Sequence, residues 1–217
     1  ENAILVRTDF TGAKMDGVVL TGAQCEGAIM NGACMVSSNC TRTSFNKAKL
    51  DNADMTSSTL LAATFVEASM VAVTMDSSNV KDTHFTKAVM TDACVQKAKF
   101  ENVDFSHANL KGADFSSSVF TATTMDNASM VGTKLKKVKF NHSSFVGSNM
   151  RQVLAPSATF ISVKFEKTKW DGAELKLSKL TSVKFVNASL IGTKMDNIVV
   201  KQSSFTNSNL SKVHAHS

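Results

Sequence analysis

The residues at positions divisible by five decide what this chain can fold into. They read Leu5, Phe10, Met15, Leu20, Cys25, Met30, Met35 and Cys40, and continue in kind to Leu210. All 14 Phe, all 11 Met and the one Trp, Trp170, fall on this register, and only Ala155 and Ala215 place a small residue there. Two positions before each large residue stands a small or β-branched one: Ala3, Thr8, Ala13, Val18, Ala23 and so on to Val213. All 10 Gly lie two positions after a large residue, as at Gly12, Gly112 and Gly192. A helix repeats near 3.6 residues and a strand at 2, so neither presents one face every fifth residue.

The pattern has a direct physical reading. Two residues in five point inward, one large and one small, and the other three are mostly Ser, Thr, Asn, Asp, Lys and Gly facing water. Gly or Asn after the large residue suits a corner that needs positive φ. Each unit is then a short extended piece plus a corner, and a chain that turns the same way every five residues winds into a solenoid. A second period sets the size of the coil. Phe45, Phe65, Phe85, Phe105, Phe145, Phe165, Phe185 and Phe205 recur at 20-residue steps, broken only by Met125. Gly12, Gly32, Gly112 and Gly132 form another such column, and Ala28, Ala48, Ala68 and Ala88 a third. Four five-residue units therefore close one square coil, with the Phe column as its core ladder. The 217 residues make nearly 11 coils, a rod roughly 50 Å long at about 4.8 Å per coil.

"ANL" at 108–110, "ADF" at 113–115 and "ADM" at 53–55 resemble the A(D/N)LXX motif of the pentapeptide-repeat family, and the likeness covers essentially the whole chain. It implies an all-β, right-handed quadrilateral β-helix with a Phe/Leu-filled interior, here one domain over residues 1–217. The handedness comes from the resemblance, since spacing does not give it. Similar proteins are plentiful in cyanobacteria and in the thylakoid lumen of chloroplasts, which points by analogy to a soluble cytoplasmic or organellar protein.

One coil is weak. In "VLAPSATF", residues 153–160, Ala155 replaces the large residue and Pro156 follows. Pro donates no backbone hydrogen bond, so a local cavity or kink is expected, with Leu154, Pro156 and Leu177 close together on the outside as an apolar contact spot. The register resumes at Phe160. The repeat opens at Ala3, and no amphipathic helix flanks it. Solenoid ends need polar caps, so we expect caps outside residues 1–217, or a partner that supplies them, or end-to-end self-association.

Charge is unevenly placed. The net is +6, but residues 1–130 carry 10 Lys/Arg against 14 Asp/Glu, and residues 131–217 carry 14 against 4. The run "KLKKVKF" puts Lys134, Lys136, Lys137 and Lys139 on outward positions of one coil, and Lys164 and Lys184 stack on coils nearby. These lysines and the apolar spot are the candidate interaction surface; a merely solvated lysine-rich face is the plain alternative. Lysines of this kind meet phosphates or anionic membrane surfaces. Every aromatic is inward, leaving none for base stacking, and the only arginines are Arg7, Arg42 and Arg151, so sequence-specific nucleic-acid reading is disfavoured.

Catalytic chemistry is missing from the sequence. There is no phosphate-binding glycine loop, no H-E-x-x-H and no G-x-S-x-G. His84, His107, His142, His214 and His216 are all outward, and the His84/His107 pair is too few ligands for a metal site. Cys25 and Cys40 read as small core hydrophobes. Cys34 and Cys94 share a column three coils apart, too far to bond, so four free thiols are expected, which leans to a reducing compartment. No catalytic, cofactor or metal residue is assigned, and a rod with flat faces offers no concave, water-excluding pocket. The reading is a non-enzymatic scaffold docking on a protein partner or a larger assembly. Two alternatives stand beside it. Some bacterial members of the family mimic DNA and bind a type II topoisomerase, for which a rod of net +6 has the wrong sign. The repeat is otherwise one domain of a longer adaptor or effector. No run of 18 apolar residues provides a transmembrane helix.

Overall fold

A computed structural model describes residues 1–216. Parallel pairing joins each side of the coil to the residue 20 positions on, from Ile4↔Gln24 to Lys194↔His214. Four columns of outward residues define four sides. The first runs through Ile4, Gln24 and Ser44, the second through Asp9, Ile29 and Lys49, the third through Lys14, Cys34 and Asp54, and the fourth through Val19, Asn39 and Thr59. The chain is a parallel β-solenoid.

Five residues per side leave room for about three in extended conformation between corners, so most coils touch through single bridges. Among the described residues only two sides develop regular strands. On the fourth side, β1 (Thr59–Leu61), β2 (Asn79–Lys81), β3 (Lys99–Glu101), β4 (Val119–Thr121), β5 (Lys139–Asn141), β6 (Thr159–Ile161), β8 (Lys179–Thr181) and β10 (Val199–Lys201) form one parallel sheet in that order. On the first side, β7 (Lys164–Glu166), β9 (Lys184–Val186) and β11 (Ser204–Thr206) form a second. The larger sheet spans about seven turns, fewer than the coils counted from length, because the coils before Thr59 pair through isolated bridges.

Every fifth residue from Asn2 to Lys212 has φ between 50° and 70°. Glycine is therefore not required at the corners. Lys47, His107, Ala122 and Leu177 adopt the same left-handed conformation at a steric cost of about 1–2 kcal/mol each. Corners such as the one after Phe10 close with a backbone bond, Ala13 N to Phe10 O at 3.0 Å, the pattern of a type II turn.

Inside, Phe45, Phe65, Phe85 and Phe105 stack at centroid spacings of 4.9, 4.8 and 4.8 Å, the repeat of the coil itself. Beyond Met125 the ladder resumes through Phe145, Phe165, Phe185 and Phe205. A second ladder, Phe100, Phe120, Phe140 and Phe160, stands on the adjoining side and meets the first edge-on, as Phe100 does Phe105 at 5.6 Å and 64°. Trp170 sits edge-on to Phe165 at 4.9 Å. The small inward position also has a chemical use. Where it is Ser or Thr, its hydroxyl donates within its own corner in some coils, as Ser148 to Phe145 O at 2.8 Å, and in others to a carbonyl 23 residues back: Thr43 to Leu20 O at 2.6 Å, Ser58 to Met35 O at 3.0 Å, Ser178 to Ala155 O at 2.7 Å. The latter buried hydroxyls tie one coil to the next and are satisfied in doing so.

The expected kink at 153–160 is absent. Leu135 N donates to Leu154 O at 2.7 Å and Ala155 N to Glu174 O at 2.8 Å, and β6 pairs in register with β5 and β8. The reason lies in the corner. At the position Pro156 occupies, other coils direct the amide to a side chain, as Val36 does to Asp16 and Gln96 to Asp76. Losing that N–H removes nothing from the backbone ladder, and the fixed φ of Pro suits the first central residue of such a turn.

Candidate interaction surface

The structure gathers the sequence-predicted residues into two groups on either side of the large sheet. Lys134 lies on the third side, stacked between Asp114 and Leu154. Lys136 and Lys137 form the next corner of the same coil. Pro156 follows one coil on, linked through Lys137 N to Pro156 O at 3.0 Å, and Lys176 one further, through Ser157 N to Lys176 O at 2.8 Å. Leu177 completes that corner. Leu154 and Leu177 are 42% and 59% exposed, while Pro156 is half-buried. Lys134, Lys136 and Lys137 and the apolar spot, read separately from sequence, therefore share one edge of the rod.

Lys139 opens β5 in the middle of the large sheet. Lys164 and Lys184 belong to the other group, past the next corner, as in-register partners in β7 and β9. The four lysines of "KLKKVKF" thus turn a corner rather than share a plane. All six candidate lysines make no ion pair among the described residues. Lys176 on the same edge is held by Asp196 at 3.6 Å, and Arg151 by Asp171 at 3.2 Å. Sequence reading missed Lys179 in β8 and Lys201 in β10, which add to the positive field of this face.

A second device was not read from sequence. Asp at the first corner position accepts from the amide directly above it and from a hydroxyl or thiol beside that amide. Asp126 takes Val146 N at 2.8 Å and Ser144 Oγ at 2.6 Å; Asp51 takes Val71 N at 2.9 Å and Ser69 Oγ at 2.6 Å. Asp171 does the same with Ile191 N and Ser189 Oγ and adds Arg151. Burial by itself would raise the Asp171 carboxyl, but these donors outweigh it and hold it below the ordinary value. The signal in the sequence was an Asp directly after the large residue, at Asp16, Asp51, Asp76, Asp126, Asp171 and Asp196.

All four cysteines are free. Burial pushes Cys25 up to about 12 and Cys40 to about 11. Cys34 and Cys94 are raised as well, Cys34 chiefly through its contact with Asp16 and Cys94 chiefly by burial beside Asp76. None has the lowered pKa of a reactive thiol. Among the described residues no group of three or more His, Cys, Asp or Glu is placed to hold a metal ion. No helix of the described residues is long and apolar enough to cross a membrane. One expectation needs correction: the faces are not uniformly flat, and a groove of about 710 Å³ opens across the first coils beside Gly27.

The Pentapeptide repeats family model matches residues 3–39, 38–76, 68–106, 98–136, 113–152, 158–197 and 184–215. The chain belongs to the pentapeptide-repeat family. No curated protein matches it. Among solved structures, it is similar to HetL, a pentapeptide repeat protein involved in heterocyst differentiation regulation from the cyanobacterium Nostoc sp., at 16% identity over 95% of this chain and 90% of that one, with a TM-score of 0.36. Trypsin-treated QnrB1, a plasmid-mediated fluoroquinolone resistance protein, is 14% identical over 98% of this chain and 88% of its own, with a TM-score of 0.47. A pentapeptide repeat protein of the Arabidopsis thaliana thylakoid lumen is 17% identical over 66% and 69%, with a TM-score of 0.27. Membership of this pentapeptide-repeat family rests on the repeat itself, and these likenesses carry nothing further about what the chain does.

Proposed function

We propose that this pentapeptide-repeat protein is a non-enzymatic scaffold that docks an acidic protein partner, or a larger assembly, through the edge and faces of its last coils. The observation that carries this reading is the set of lysines without an ion pair among the described residues, of which Lys134, Lys136 and Lys137 lie beside the exposed Leu154 and Leu177 and Lys139, Lys164 and Lys184 lie on the adjoining sides. Elsewhere lysines are mixed: Lys81 pairs with Glu101 at 2.7 Å and Lys87 with Glu67 at 3.3 Å across coils, while Lys14, Lys49 and Lys97 make no ion pair among the described residues, so what sets the last coils apart is their excess of cations, 14 Lys/Arg against 4 Asp/Glu over residues 131–217. A mixed apolar and basic surface suits a complementary partner, with the lysines steering encounter and the apolar residues contributing contact. The same charge speaks against a DNA-mimicking role, which needs the opposite sign.

The test is the native mass of the protein from its own source, with lysine crosslinking. Co-purification with a stable complex and crosslinks from Lys134 to Lys201 are expected, and both should fade when Lys136, Lys137, Lys164 and Lys184 are changed to Glu. A lone species with no crosslinked neighbour, or crosslinks confined to residues before Lys111, would sink the reading.

A further inference from the structure

The groove at the other end of the rod is a different kind of site. Arg7, Gly27 and Lys47 occupy the same corner position in three successive coils, joined through Arg7 N to Glu26 O and Gly27 N to Asn46 O, both 2.9 Å. Gly27 has no side chain, so a notch lies between the two cations. A Cβ placed there would meet only Arg7 Cγ, at 3.5 Å. Lys49 adds a third cation from the second side, stacked on Ile29. Arg7 and Lys49 make no ion pair among the described residues, and Lys47 approaches Glu67 only to 4.0 Å. Val6, 44% exposed, and Ile29 supply alkyl surface to the groove.

Glu26 lines the same groove, and its Oε2 is buried with no hydrogen-bond partner. A buried carboxylate oxygen without a donor is costly, so the site is incomplete in its polar pairing. A ligand that fits the groove brings a donor toward which the partly exposed Glu26 carboxylate turns out of its buried, unpaired position, an acceptor for the surplus cations and an apolar body for Val6 and Ile29. The groove, at about 710 Å³, lies within the usual range for small-molecule sites.

We propose that this groove binds a small zwitterion with an apolar body, its ammonium on Glu26 and its carboxylate between Arg7 and Lys47. A free apolar amino acid and a short apolar peptide share this chemistry. The proposal is independent of the basic surface at the far end.

The test uses the full 217-residue chain, titrated with L-leucine, with the dipeptide Leu-Leu and with N-acetyl-leucine amide, and followed by calorimetry and by the amide resonance of Gly27. Two variants accompany it. Gly27→Asn fills the notch with a residue that Asn127, Asn187 and Asn207 already carry at the same corner, at φ of 57°, 52° and 52°, so the fold is retained. Glu26→Gln keeps the shape and removes the charge. Leu-Leu or leucine should bind saturably and shift Gly27, with whichever binds tighter naming the source. Gly27→Asn should abolish binding and Glu26→Gln weaken it about tenfold or more, while the uncharged amide should not bind. Absence of a saturable shift up to about 10 mM, equal binding by the uncharged amide, or unchanged binding in both variants would overturn the proposal.

Discussion

Replacing Phe105 by Ala removes a core side chain that has three aromatic partners. Phe105 is fully buried. It stacks on Phe85 at 4.8 Å and 6°, and meets Phe100 edge-on at 5.6 Å and Phe115 at 6.2 Å. Large-to-small truncation of a buried Phe costs about 3–5 kcal/mol, and aromatic pairs add about 0.5–1.5 kcal/mol each beyond area. Three lost pairs place Phe105→Ala in the upper half of that range, at about 4–5 kcal/mol. Phe205 has the same place in the column, but it is only half-buried and stacks on Phe185 alone, so Phe205→Ala should cost about 1–2 kcal/mol. Thr121→Ala, exposed at the end of β4, should stay within about 0.5 kcal/mol. Urea unfolding followed by far-ultraviolet circular dichroism gives the three values. Trp170 emission gives a local check, since Trp170 is the one Trp and the chain has no Tyr. Coincident transitions would make the coils one cooperative unit, and separate ones would make the cost a property of neighbouring coils. A loss below about 1 kcal/mol for Phe105→Ala, or a larger loss for Phe205→Ala, would refute the packing argument.

The acid limb of stability should depend on Asp171. Its pKa is lowered in the fold, so it contributes stability above the unfolded value of about 3.9 that is lost as pH falls through the folded value; Asp171→Asn should flatten a melting profile below about pH 4, and an unchanged profile would count against the carboxylate's place in the network. Thiol labelling at pH about 8, near the ordinary cysteine value, should leave Cys25 and Cys40 untouched until the protein unfolds, and rapid reaction of either would contradict its burial. Trp170 Nε1 is buried without a partner, so Trp170→Phe should cost less than about 1.5 kcal/mol by circular dichroism, relief of the unpaired N–H offsetting lost area. Leu177→Gly replaces a residue at φ 60° and should hold stability or raise it by up to about 1 kcal/mol while weakening partner capture; a destabilised variant would mean Leu177 serves the fold instead.

The register of Phe, Met and Leu settled the square coil, because a solenoid repeats the same burial pattern at every turn and each residue's neighbours lie 20 positions away. Side-chain direction, ladder membership and the free thiols follow from that arithmetic. The column Phe100, Phe120, Phe140 and Phe160 was equally readable, since it obeys the same rule as the Phe45 column. Other features needed the fold. The tolerance of Pro156 depends on where the amide at that corner points. The carboxylate of Asp126 acquires meaning only when Val146 and Ser144 arrive from the coil above. Four of the six candidate lysines fall within one short run, yet whether the six share a plane, wrap a corner or stand beside Leu154 depends on which side each faces and which coil stacks on it. Gly27 is one glycine among 10 in the sequence. Only the stacking of Arg7 and Lys47 on either side, with the unpaired Glu26 oxygen beside it, makes its missing side chain a notch, because a void is defined by what surrounds it.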